Sequence, residues 1–128
     1  MKRVVFVCVE NSNRSQMAEA FAQMIGGVEA TSAGSRPSGT VNPKAIAAMR
    51  ELGYDLSAHR SKSLDELADT TFDAAVTMGC GDQCPNLRAV RREDWNIPDP
   101  RDMPPEKFRA VRDLIGAKVK DLLAGLGH

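Results

Sequence analysis

The stretch Val4-Val-Phe-Val-Cys8-Val-Glu-Asn-Ser-Asn-Arg14-Ser15 constrains this chain more than any other. It opens with an apolar, β-branched run, the pattern of a buried strand. A polar turn follows. Ser15-Gln-Met-Ala-Glu-Ala-Phe-Ala-Gln-Met24 then has the composition of a helix. A cysteine therefore ends the first strand, and an arginine stands where the first helix begins. Five residues separate them, enough for a loop that curls round a tetrahedral anion, with Val9, Glu10, Asn11, Ser12, Asn13, Arg14 and Ser15 as its oxyanion-binding wall. Backbone N–H groups of such a loop point inward, and the helix dipole adds positive potential. Arg14 would add a planar fork matched to two oxygens of the anion. The same field favours thiolate over thiol, so Cys8 is placed to act as a nucleophile, with Ser15 within reach to hydrogen-bond its sulfur. The plainer alternative is a small core residue closing a strand.

The rest of the chain is read by period and punctuation. Met17, Phe21, Met24 and Ile25 fall on one face of the first helix, which Gly26-Gly27 stops. Glu29 to Ala33 is a short second strand ended by Gly34. Asn42 caps and Pro43 opens a helix with Ile46, Met49 and Leu52 inward, closed by Gly53. Ser63 and Glu66 form a capping box for a short helix from Leu64 to Ala68. Phe72 to Met78 is the third strand, and a fourth is expected between Arg88 and Trp95. A proline-stiffened loop leads to a last helix from about Pro105 to Leu123, with Phe108, Val111, Ile115, Val119 and Leu122 buried.

Strands alternating with helices imply an α/β fold, a parallel sheet with helices on both faces. Ligands of such sheets bind beyond the carboxyl ends of strands. Cys8, Gly79-Cys80 and Asp99 each follow a strand, so three reactive groups share one edge. At 128 residues the chain makes one domain, residues 1–128. Seventeen basic residues balance seventeen acidic ones, which argues against nucleic acid or an anionic membrane as partner. The apolar run after Met1-Lys-Arg is too short for a signal peptide, and no stretch is long enough to cross a bilayer. A cytoplasmic, monomeric protein is expected, with its three cysteines reduced.

Two further features carry chemistry. Asp99-Pro100 offers a carboxylic acid on a stiffened loop, able to protonate an oxygen leaving group; Asp102 is its rival. Cys80-Gly-Asp-Gln-Cys84 is too polar for a core segment. Two cysteines with His59 fall short of a zinc shell, and no metal or cofactor is expected. Redox chemistry remains: one thiol makes an adduct, a second resolves it, a third finishes.

Taken together, Cys8-x5-Arg14-Ser15-Gln16-Met17-Ala18-Glu19, Ser32-Ala33-Gly34, Asn42-Pro43, Gly79-Cys80-Gly81-Asp82 with Cys84-Pro85, Asp94-Trp95 and Asp99-Pro100 resemble the low-molecular-weight protein tyrosine phosphatase superfamily, and within it the arsenate reductases. The resemblance spans nearly the whole chain. It implies a three-layer domain with strand order 2-1-3-4. It implies Cys8 as nucleophile, Arg14 as oxyanion ligand, Asp99 as acid, and Cys80 and Cys84 as relay thiols. The substrate would be arsenate or a phosphate-like oxyanion. The reductant would be thioredoxin or a small thiol such as mycothiol or glutathione, with a weak phosphatase side activity. A phosphatase would need only Cys8, Arg14 and Asp99, with Tyr54 and Trp95 as the only candidates for an aromatic cleft wall; a non-catalytic oxyanion or thiol sensor would not need Asp99. The chain departs from the branch at Asn13, where many reductases carry cysteine, at Glu10, a carboxylate in an anion loop, and at Arg101, where phosphatases commonly place an aromatic. Some relatives bind potassium near an asparagine, a glutamate, a serine and an aspartate; Asn11, Glu19 and Ser32 match, and Lys62 holds the aspartate position, its ammonium a substitute for the ion or simply a solvated surface charge.

Overall fold

The computed structural model describes residues 1–67, 69–78 and 87–126. Strands β1 (Lys2–Cys8), β2 (Val28–Gly34), β3 (Thr71–Thr77) and β4 (Arg88–Asp94) form one parallel sheet in the order β2-β1-β3-β4. This is the expected order. β1 is an inner strand. It pairs with β2 from Lys2 opposite Val28 to Cys8 opposite Gly34, and with β3 from Val4 opposite Ala74 to Val7 opposite Thr77. That place explains its unbroken apolar run. Val4, Val5, Phe6 and Val7 are all fully buried, and each such side chain stabilises the fold by about 1.5–3 kcal/mol relative to an exposed one. The chain leaves β1 for β2 on one side and returns to β3 on the other, so a crevice opens beyond Cys8.

Helices α1 (Arg14–Ile25), α2 (Pro43–Arg50) and α3 (Pro105–Leu126) supply the rest of the larger core. Met17, Met49 and Ile115 from these helices pack in one cluster with Val4, Phe6 and Cys8. Val5 and Val7 point the other way and join Ala33, Phe72, Ala75, Leu87 and Leu64, the last from a 3-10 turn over Leu64–Leu67. The cap of α2 is as its sequence implies: Asn42 Oδ1 accepts from the Lys44 N–H at 2.9 Å, and Pro43 opens the helix. All five α3 residues expected inward are buried, with Arg112 and Leu123 beside them. β4 is an edge strand whose Arg88, Arg91 and Arg92 stay exposed, charge that discourages pairing with another chain.

Two apolar faces differ from their sequence pattern. In α1, Met17 is buried as expected, but Met24 and Ile25 are 45% and 40% exposed, and the rest of the buried face is Ser15, Gln16, Ala18, Glu19, Ala20 and Ala22. In α2, Leu52 lies past the helix end and is exposed, while Ala45 and Ala48 are buried beside Met49. Both inner faces use small or polar side chains where elements approach closely or serve the loop, and hydropathy alone cannot mark such a face.

Candidate active site

The loop after β1 is laid directly over the end of β2. A Cβ on Gly34 would stand 2.5 Å from the Val9 carbonyl oxygen and 3.0 Å from the Asn11 nitrogen, so no side chain fits there. Asn11 takes the left-handed conformation, φ +52°, which is uncommon for a residue other than glycine. Its fully buried side chain holds it there. Oδ1 accepts from the Lys62 N–H at 2.9 Å and from Gln16 Nε2 at 3.0 Å, and Nδ2 donates to Ser15 Oγ at 2.8 Å. Ser15 Oγ accepts from Asn11 Nδ2 and lies 2.9 Å from Cys8 Sγ, close enough for its own proton to reach the sulfur.

A second tier supports this one. Gln16 Oε1 lies 3.0 Å from His59 Nδ1, and His59 Nε2 lies 2.6 Å from the Tyr54 hydroxyl. A neutral imidazole fits both, donating from Nδ1 and accepting at Nε2. Burial, the larger influence, pushes the His59 pKa below its ordinary value; Glu19, 3.4 Å from Nδ1, works against burial, and Lys62 works with it. Glu19 is itself buried, accepts from Ser32 Oγ at 2.6 Å and faces Lys62 Nζ at 3.7 Å. Asn11, Glu19, Ser32 and Lys62 thus stand together. The ammonium already occupies the charge position a potassium ion would need, and the residues do not fit a second cation on the same carboxylate.

In front of the loop lies a cleft of about 640 Å³. Cys8, Val9, Ser12, Asn13 and Arg14 line it from the loop side, and Glu10, Arg36, Asp99 and Arg101 complete the lining. Arg14 Nη1 donates to the Ile97 carbonyl at 3.0 Å, and its Nη2 lies 3.9 Å from Asp99 Oδ2. Asp102 borders a separate groove with Met103 and Phe108. Glu10 points outward, and Arg101 Nη1 donates to both of its carboxylate oxygens at 3.2 and 3.1 Å. Asn13 sits in the floor with its Oδ1 buried and unpaired among the described residues. Tyr54 is engaged beneath the loop. Trp95 is buried against Phe6, ring centroids 6.1 Å apart, under the Lys118 ammonium. Neither lines the cleft, and no aromatic side chain does among the described residues. Cys80 and Cys84 lie outside the described residues. Sequence reasoning missed Arg36, read only as part of a loop. The signal was its position: it follows the carboxyl end of β2, at the edge where ligands of parallel sheets bind.

Comparison with known proteins agrees with this geometry. The family model for low molecular weight phosphotyrosine protein phosphatases matches residues 3–128. A glutaredoxin arsenate reductase of Synechocystis sp. is 39% identical over 129 residues, covering 97% of this chain and 98% of its own. A solved structure of an arsenate reductase in the phosphate binding state superposes with a TM-score of 0.89 at 38% identity, covering 98% of each chain. A Corynebacterium glutamicum thioredoxin-dependent arsenate reductase superposes with a TM-score of 0.82 at 30% identity, covering 99% of this chain and 62% of that one.

Proposed function

We propose that this chain, which belongs to the low molecular weight phosphotyrosine protein phosphatase family, reduces arsenate to arsenite with Cys8 as its nucleophile. The observation that carries the reading is the Cys8 sulfur lining the cleft beside the loop after β1, 2.9 Å from the Ser15 hydroxyl. Similarity to arsenate reductases over almost the full length supplies the substrate class.

Arsenate is a tetrahedral oxyanion of phosphate size. The loop amides and the Arg14 fork hold its oxygens and stabilise the charge that builds in the transition state. The Cys8 thiolate attacks arsenic, a sulfur–arsenic bond forms, and an arsenic–oxygen bond breaks. Asp99, at the cleft rim, protonates the departing oxygen. The Cys80 thiolate then attacks the Cys8 sulfur. The sulfur–arsenic pair stays with arsenic, which falls from the pentavalent to the trivalent state and leaves as arsenite. A Cys8–Cys80 disulfide remains. Cys84 attacks Cys80, frees Cys8 and leaves a Cys80–Cys84 disulfide for an external thiol to reduce. These last steps rest on the placement of the cysteines in the sequence.

The test is arsenite release with thioredoxin and its reductase, and separately with glutaredoxin plus glutathione and with mycothiol. Cys8→Ser should abolish release with every donor. Cys80→Ser should stop the thioredoxin-coupled reaction and spare hydrolysis of a small aryl phosphate, which needs only a cysteine adduct and water. Cys84→Ser should complete one turnover and stall as a Cys8–Cys80 disulfide, seen by peptide mapping. Wild-type rates with thioredoxin in both relay variants would overturn the relay. Wild-type rates only with a small thiol would move the resolving sulfur to that thiol.

A further inference from the structure

We propose that Arg101 is the positioning residue that fastens the Asp99 loop across the mouth of the cleft, with Glu10 as its anchor. The proposal rests on the reading of Cys8 and Asp99 given above and adds what holds the acid in place. Asp99 is half exposed, and its tie to the cleft floor is a long one, 3.9 Å from Oδ2 to Arg14 Nη2, so its distance from Cys8 depends largely on its own loop. Arg101 ties that loop down in three directions. Its N–H donates to Asp99 Oδ1 at 3.1 Å, orienting the carboxyl group itself. Its carbonyl accepts from Lys44 Nζ at 2.9 Å, a bond to the first turn of α2. Its guanidinium reaches Glu10 in the anion loop.

Glu10 makes a firm post. Its carbonyl accepts from the Ser38 N–H at 3.0 Å and from Ser61 Oγ at 3.1 Å, so its backbone is pinned from two neighbouring segments. Only the carboxylate is left to reach outward. This resolves the oddity of an acidic residue in a loop built for anions: the charge is turned from the floor and neutralised by the guanidinium, leaving Arg14 and the loop amides to face substrate. The bridge spans the cleft between the element that carries the nucleophile and the one that carries the acid. Losing it should let the Asp99 loop drift, and small displacements of a catalytic group are costly.

The experiment compares wild type with Arg101→Glu, the exchange Glu10→Arg/Arg101→Glu, and Glu10→Ala/Arg101→Ala, which keeps the net charge while removing the bridge. Two readouts are taken: single-turnover arsenite release, and amide exchange of residues 99–103. Arg101→Glu sets two carboxylates face to face, and release should slow ~10-fold with faster exchange in the loop. The exchanged pair should recover both to within ~3-fold. The double-alanine protein should show loss of both. If it instead matches wild type, the arginine acts only through the field at the cleft and the latch is overturned. Failure of the exchanged pair to recover loop protection overturns it as well. If wild type releases no arsenite while exchange follows the predicted order, the latch stands and the reductase reading falls.

Discussion

At the scale of single residues, the site depends on which groups have spare hydrogen-bonding capacity. Ser15 Oγ accepts from Asn11 Nδ2, which leaves its own single proton available to the Cys8 sulfur. Ser15→Ala removes the donor to sulfur without disturbing the fold of α1, because alanine suits a helix. A hydrogen bond to a charged group is worth ~1.5–3 kcal/mol, so alkylation of Cys8 by iodoacetamide at neutral pH should slow by roughly 10-fold or more. An unchanged alkylation rate would mean that the loop amides alone hold the thiolate. Arg14 and Asp99 show the limit of reading residues singly. Cys8-x5-Arg14-Ser15 was legible because its members are close in sequence and their spacing maps onto one turn. The pair formed by Glu10 and Arg101 was not, because 91 positions separate its partners and neither has a local reason to meet the other.

Among elements, what matters is how closely the loop after β1 is seated on β2. Gly34 pairs with Cys8 in the register, and the backbone of Val9 and Asn11 passes where its Cβ would be. Gly34→Ala must push backbone, not the flexible end of a side chain. Overpacking of this kind typically costs ~1–3 kcal/mol. The lost stability should appear in a denaturant melt, and the displaced loop should weaken binding of inorganic phosphate ~10-fold or more, read by calorimetry. Full phosphate affinity in Gly34→Ala would show that the loop can rise without losing its shape. Much of this level was visible beforehand. The β1 run, the Asn42-Pro43 start of α2 and the buried stripe of α3 all follow from local pattern, and each is found where its pattern puts it. The inner faces of α1 and α2 were read only in part: Met17 and Met49 are buried as their spacing implies, but Met24, Ile25 and Leu52 are not, because alanines and polar residues fill the rest of those faces. Ser15, Gln16 and Glu19 are buried to serve the loop, a purpose that leaves no mark in hydropathy.

For the molecule as a whole, α2 links the stability of the domain to the posture of the site. Its first turn carries Lys44, which holds the Arg101 carbonyl, and its far end carries Glu51, which holds α3. Arg109 donates to the Glu51 carboxylate from Nε at 2.9 and 3.0 Å and from Nη2 at 2.8 Å; the nearly buried Arg112 adds Nη1 at 2.7 Å and gives the same nitrogen to the Ala48 carbonyl at 2.9 Å. The Arg109 hydrogen bonds, followed by those of Arg112, bring the Glu51 pKa down from 4.5 to about 2. A carboxyl whose folded pKa is depressed stabilises the fold above its unfolded value and loses that contribution as pH falls through the folded one. The window is therefore pH 4.5 to about 2. Within it the unfolded chain binds a proton at Glu51 that the folded chain refuses, so unfolding should take up as much as one proton more than in Glu51→Gln. Thermal melts of both proteins at intervals between pH 6 and 2, with the buffers' ionic strength held constant, give the two slopes. Wild type should be the more stable at pH 6, and the difference should shrink steadily on acidification as protonation removes the same ion pairs that the glutamine lacks. Because the carboxylate is exposed, added salt should narrow the gap at pH 6 as well. Parallel slopes across the whole range would mean that Glu51 is a bystander, with α2 and α3 held by their apolar contacts and the bond from Arg112 to the Ala48 carbonyl.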